Sequence, residues 1–149
     1  SICEHAATET ITSIVDANDD RFLAPQNMTA EVQAACRESG QKVPEGIYQV
    51  AAVIYNSLAK CYADTVREIE KIEHVTYPCI NIVGGGANAA YLNELTAKAT
   101  GKTVYAGPTE ATAIGNIMAQ MIAAGELQDL AEARKCVFHS FEIKEEKGC

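Results

Sequence analysis

Apolar residues recur every three or four positions along most of this chain, the spacing of helices with one inward face. The longest run is Ile47, Val50, Ile54, Leu58, Cys61, Thr65 and Ile69, which predicts a single long helix. Arg67, Glu68, Glu70 and Lys71 fall mostly on its other side, as a solvated surface would. Upstream, Thr29 can cap a helix through Val32, Ala35 and Cys36 that closes near Gly40. Between them, Asp16–Phe22 reads as a polar turn; its three acids lack the spacing and final Glu of a calcium loop.

The period changes after Pro78. Cys79-Ile80-Asn81-Ile82-Val83 is short, rich in β-branched residues and ends at Gly84, the pattern of a buried strand. A helix follows from about Asn88, with Leu92 and Leu95 inward, and stops at Gly101. Thr103-Val104-Tyr105 predicts a second strand and Gly107-Pro108 a turn. Thr109 can cap a helix from Glu110 to about Ala124, ending at Gly125, and Asp129 with Glu132 forms a capping-box-like start for the last one. The tail Lys144–Cys149 reads as loose. Strand–helix–strand–helix is an α/β unit, which needs a parallel sheet covered by helices. Two strands alone do not make a stable open sheet. Either further strands lie near Ile11–Val15 and Val137–Ile143, or the chain is part of a larger domain, and the second reading is preferred.

Composition narrows the function. The chain has 149 residues, 48% apolar and 21% charged, a globular balance that buries roughly 68% of the unfolded surface. A net charge of −8 disfavours nucleic acid and anionic membrane surfaces as partners, since both need clustered Lys and Arg. No apolar run approaches a membrane span. The start, Ser1-Ile2-Cys3-Glu4-His5, lacks the basic opening of a signal peptide, so the expected compartment is the cytoplasm. A first residue other than Met suggests a processed chain or a piece of a longer one. Six scattered cysteines with no C-x-x-C pair suit a reducing compartment and read as small buried hydrophobes. His5, His74 and His139 form no zinc spacing.

The chemistry concentrates in Ile82-Val83-Gly84-Gly85-Gly86-Ala87-Asn88-Ala89. A strand runs into three glycines and then a helix. Glycine lets a ligand approach the backbone closely, and ligands of α/β sheets bind at the carboxyl ends of strands. The segment reads equally as a nucleotide or phosphate site and as a tight structural turn. Walker A fails for want of the Lys and Ser or Thr that follow its glycines. Gly84-x-Gly86-x-x-Ala89 fits the Rossmann spacing, but the next strand ends Tyr105-Ala106-Gly107-Pro108 without the acid that motif requires.

The stretch Ile82–Ile117, above all its G-P-T-E-A-T-A-I-G-N-I run at Gly107–Ile117, resembles the C-terminal domain of the FGGY family of carbohydrate kinases. The segments Asp16–Pro25 and Cys36–Pro44 resemble the same family, in its branch that phosphorylates L-rhamnulose at the 1-hydroxyl. The similarity runs from about Ile14 to Gly125. It implies an actin-like, ribonuclease-H-like ATPase fold, helix-rich with few strands, of which residues 1–149 are the later part of the second lobe: a C-terminal nucleotide-binding domain. It also implies ATP and Mg²⁺ as cofactors, ATP/ADP and a sugar as partners, and an adenosine cradle at Gly84, Gly85 and Gly86, with Gly85 foremost. Relatives place Asn or Ser three residues after the last glycine, against the base. Here Ala89 holds that position and Asn88 stands one earlier, so Asn88 is either the base contact or a helix cap. Thr109 and Glu110 read as helix-start residues and Gly115 as a packing glycine.

No segment matches the family's catalytic Asp, so no catalytic residue and no metal ligand is assigned, and the isolated chain is expected to be inactive. Open strand edges make it prone to self-association. Two alternatives stay open: another ketose or pentulose kinase of the superfamily, and a non-catalytic module that packs on a partner through the Ile47–Ile69 face.

Overall fold

The spine of the molecule is the helix α3 (Gly46–Glu73), against which α1 (Ile2–Ala6) and α2 (Met28–Glu38) pack on one side and α4 (Ala90–Thr100) on another. The structure is a computed structural model and describes residues 2–148. The main core lies among these helices: Ala6, Ile11, Val32, Cys36, Val50, Ala52 and Val53 form one buried cluster, edged by Phe22, Tyr55 and Tyr91.

The long helix forms where its periodicity predicts, but its buried arc is wider and rotated. Ile47 and Ile69, the ends of the expected stripe, are exposed, whereas Ala52, Ala59 and Ala63 are buried. A count of large apolar residues misses these alanines, which are small enough to admit a close neighbouring helix. Tyr55 of α3 meets Tyr91 of α4 edge-on at 5.7 Å. In α4 the deepest residues are Asn93, Thr96 and Ala97, while Leu92 and Leu95 are only half-buried. Thr96 tolerates burial because its hydroxyl donates to the Leu92 carbonyl of its own helix, at 2.7 Å.

Residues 11–15, where the alternative reading expected a strand, form no regular element and join no sheet. Their backbone groups bond to side chains instead. Gln41 takes both sides of Ile14, Ser57 Oγ accepts from the Val15 N–H and Asn56 Nδ2 donates to the Ile11 carbonyl. Asp16–Phe22 is the expected turn, with a single 3-10 turn at Asp20–Phe22 capped by Asp19. Asn27, not Thr29, caps α2: its side chain accepts from the Ala30 N–H at 3.1 Å, and Thr29 falls inside the first turn.

β1 (Cys79–Ile82) and β2 (Thr103–Ala106) are parallel, Cys79 opposite Thr103 and Ile82 opposite Ala106, with α4 as their crossover and covering layer. β1 is half-buried at best, because it is a sheet edge. The tail is ordered through Gly148, not loose; Cys149 lies outside the described residues. β3 (Lys144–Glu146) pairs antiparallel with β2, Glu146 opposite Val104, and makes the sheet three-stranded in the order β1-β2-β3. Gly148 then presses on the end of α4, where a Cβ would collide with the Ala97 carbonyl and the Gly101–Lys102 peptide. The region 137–140 belongs to a helix, α6 (Leu130–Ser140). Asp129 caps it as expected, accepting from the Glu132 N–H, and Glu132 reaches back to the Gln128 N–H.

A strut ties the two halves together. Lys102 at the start of β2 donates to Glu70 of α3 and to the Tyr77 carbonyl, both at 2.6 Å, and Glu70 also accepts from the Tyr77 N–H. By contrast α5 (Ala111–Ala123) carries no charged residue and buries only Ile114 fully. Among the described cysteines, which exclude Cys149, all are free and only Cys36 is buried, so the reading of buried thiols holds there alone. No described helix is long and apolar enough to cross a membrane.

Candidate functional site at the glycine turn

The chain leaves β1 at Ile82 and turns at Gly84, whose φ of 78° and ψ of −164° only glycine adopts readily. The Gly84 N–H donates to the Pro108 carbonyl at 3.1 Å, and the Gly107 N–H donates to the Ile82 carbonyl at 2.8 Å. The loops that follow β1 and β2 are thereby stitched side by side beyond the strand ends. Gly107 is held open for structural reasons: its φ is 122°, and a Cβ there would lie 2.8 Å from the Glu142 carbonyl.

A 3-10 turn, Gly85–Asn88, comes next, closed by Ala87 N–H to the Gly84 carbonyl and Ala89 N–H to the Gly86 carbonyl. Neither Gly85 nor Gly86 has a left-handed φ. A Cβ at Gly85 would meet nothing within 4 Å, and one at Gly86 would sit 3.9 Å from an Ile82 methyl, an ordinary contact. As far as the atoms of this chain are concerned, a larger residue would fit at either position.

Asn88 is exposed and does not cap α4; the capping position falls on Ala89, which has no side chain to offer. Asn88 instead lines a cavity of about 300 Å³ with Pro108, Thr109, Glu110, Ile114 and Phe141. The cavity sits at the carboxyl end of β2, where a ligand of an α/β sheet is expected. Thr109 and Glu110, expected to start α5, do stand at its start, but Glu110 holds the cap position with no side-chain cap bond. Both line the cavity. Phe141 and Lys144 reach it from far along the chain, and only the return of β3 to β2 brings them there.

A larger cavity, about 830 Å³, lies between the Asp16–Phe22 turn, α2 and α3. Its strongest polar group is already satisfied. Arg21 is bonded to Glu31 at 3.1 Å and grips both oxygens of Glu38 at 2.7 and 3.2 Å. That grip holds the Glu38 carboxyl below its ordinary range. Size therefore does not mark the site here; open backbone at the strand ends does.

The pattern of the FGGY family of carbohydrate kinases, C-terminal domain, matches residues 3–124 of the chain. The chain belongs to this family. It is 45% identical to a rhamnulokinase of Oceanobacillus iheyensis over 138 residues, 93% of this chain and 29% of that protein. It is 48% identical over 132 residues to a rhamnulokinase of Halalkalibacterium halodurans, covering 89% and 28% of the two chains. To a rhamnulokinase of Bacillus subtilis it is 47% identical over 141 residues, 95% and 29%. The chain thus spans under a third of the length of these curated relatives. The helix-rich α/β fold agrees with an FGGY C-terminal domain, and the family match ends at Ala124, before α6 and β3.

Proposed function

We propose that residues 1–149 are the C-terminal nucleotide-binding domain of a cytoplasmic rhamnulokinase, which transfers phosphate from ATP to the 1-hydroxyl of L-rhamnulose. In this reading the turn Gly84, Gly85, Gly86 and the adjoining Asn88 face the adenosine end of ATP. One observation carries it: Gly85 and Gly86 are glycines without a reason inside the chain, since neither has a left-handed φ and a Cβ would meet nothing at Gly85 and only an ordinary contact at Gly86. Close approach of something from outside supplies the reason. The cavity beside Asn88, walled by Pro108, Ile114 and Phe141, offers apolar surface for a base.

Transfer needs a base for the sugar hydroxyl, and no residue here is assigned that role. Among the described residues no three of His, Cys, Asp and Glu come close enough to hold a metal ion. The described residues offer no such ligand cluster for Mg²⁺, and no step is routed through this chain's side chains. The isolated chain is expected not to turn over ATP with L-rhamnulose, because a positioned general base is worth roughly 10²–10⁴-fold. ATP-dependent enzymes work where ATP is, which supports the cytoplasmic assignment.

The test is titration calorimetry with ATP on full-length protein carrying Gly85→Ala, Gly85→Asn or Gly85→Asp. A unit charge about 5 Å from a phosphate at an effective dielectric of 20 repels by roughly 3 kcal/mol, about 100-fold in affinity. Asp should therefore weaken binding most and Ala least. Equal losses for Asn and Asp would keep the site but reject the charge argument, the turn then lying too far from the phosphates for a unit charge to act. Near-wild-type affinity in all three would reject the site. The exposed ends of the α3 stripe, Ile47 and Ile69, favour a second reading as a partner-binding module. A full-length protein that binds no ATP would select it.

A further inference from the structure

Asn93 is 2% exposed, yet it is polar and sits where α4 packs into the molecule. Its Nδ2 donates to the Ala87 carbonyl at 3.0 Å. Its Oδ1 is buried with no hydrogen-bond partner. Exchanging the two amide atoms would leave two oxygens facing each other at that distance, so the Ala87 carbonyl fixes the orientation. Neighbours on the same helix solve burial differently: the Thr96 hydroxyl turns back to its own helix at Leu92, and that of Thr100 to Thr96. Asn93 reaches away from its helix, and leaves an acceptor unsatisfied in doing so. A leucine would fill similar space without that penalty.

The bond goes to the peptide that follows the glycines. In a helical turn every carbonyl points toward the C-terminal end and every N–H the other way. The Gly84 N–H bond to Pro108 ties down the start of the Gly85–Asn88 turn, and anchoring the Ala87 carbonyl fixes its axis from the other end; Gly85 has open space beside it and no side chain caps the turn. Glycines that leave backbone accessible also leave it free to move, and a rigid neighbour must hold it. We infer that Asn93 is a positioning residue for nucleotide, holding the glycine turn in its binding shape through the Ala87 carbonyl. The inference rests on the nucleotide reading of the turn.

Two variants of the full-length protein test it. Asn93→Leu removes both the donor and the orphaned acceptor. Asn93→Thr keeps a polar group that can bond back to its own helix as Thr96 does, and serves if the leucine variant does not fold. Both should weaken ATP affinity by about tenfold, the worth of one hydrogen bond. KM for ATP should rise with kcat little changed, and the melting temperature should hold. Amide exchange should quicken at Ala87 and Ala89, whose N–H groups close the turn, and not in the body of α4. Unchanged exchange at the turn overturns the inference, as does a lower melting temperature with ATP affinity intact. Faster exchange with intact affinity overturns it too, and Gly85→Asp then separates the causes. If that variant still weakens ATP binding, only the role of Asn93 fails; if it does not, the nucleotide reading fails with it.

Discussion

The helices α3 and α5 invert the usual relation between hydrophobicity and burial. α3 bears charges along its outward side, Lys60, Asp64, Arg67, Glu68 and Lys71 among them, and its inward arc packs on α1, α2 and α4. α5 has no charge at all, and still Ile117 is 53% exposed and only Ile114 is buried. A solvated helix needs a polar face. The contrast teaches that the middle of the charged helix finds its cover within this chain, while Ile47, Ile69 and Ile72 toward its ends stay exposed, whereas the uncharged helix is written along its length for a covering surface. The relatives are more than three times as long, and so have the length to provide one.

The harshest way to break the comparison is Val53→Lys, which puts a charge into the core cluster around α3, where Val53 is fully buried. More than about 4 kcal/mol should be lost, enough to abolish the cooperative melt followed by circular dichroism. A melt within a few degrees of the parent chain would contradict the placement of the core. Next in size is Gly148→Val. Its Cβ would collide with the Ala97 carbonyl, and overpacking of this kind costs about 1–3 kcal/mol. Amide exchange should quicken in β3 while α2 and α3 stay protected; uniform loss of protection would mean the tail is no separate clamp.

A smaller effect is expected at the strut between the halves. The hydrogen bond from Lys102, then that from the Tyr77 N–H, holds the Glu70 carboxyl below its ordinary range. With a folded pKa below the unfolded value of about 4.3, the strut stabilises fully above that pH and is lost as pH falls through the folded value. Lys102→Met should lower the melting temperature at pH 7 and flatten its decline below about pH 4.3. Parallel melting-temperature curves for parent and variant over that range would show that the strut contributes nothing. The smallest effect belongs to α5. Ile117→Lys should change unfolding by no more than about 0.5 kcal/mol and shift the sedimentation of the isolated chain toward the monomer. A large loss of stability there would erase the distinction between the two helices.

Much of this was legible from spacing alone. α3, β1, β2 and the start of α6 each follow from a local period or cap that a window of ten residues contains. β3 does not: Lys-Glu-Glu has no strand pattern, and becomes one only because β2 offers an unpaired edge. The cap of α2, expected at Thr29, falls on Asn27, two residues earlier, because both side chains are suited to the role and spacing does not choose between them. At the site, Gly84 to Gly86 stand out in any reading, but their different reasons do not. Gly84 answers to its own backbone, while Gly85 and Gly86 have an ordinary φ and room for a Cβ, a division that only the folded structure reveals. Phe141 and Lys144 carried no signal, because their place beside Asn88 depends on pairings more than thirty residues apart in sequence.

The two margins of the sheet are chemically unlike. β3 presents Lys144, Glu145 and Glu146, charges that discourage another strand from adding on, while β1 presents Cys79-Ile80-Asn81-Ile82 and, among the described residues, pairs with β2 alone. Strand-to-strand joining of copies is therefore favoured at β1 on both, related by a twofold axis. Such a contact consumes its own surface and leaves none over. Filament growth needs two receptive margins per molecule, so by this route stoichiometry stops at a pair.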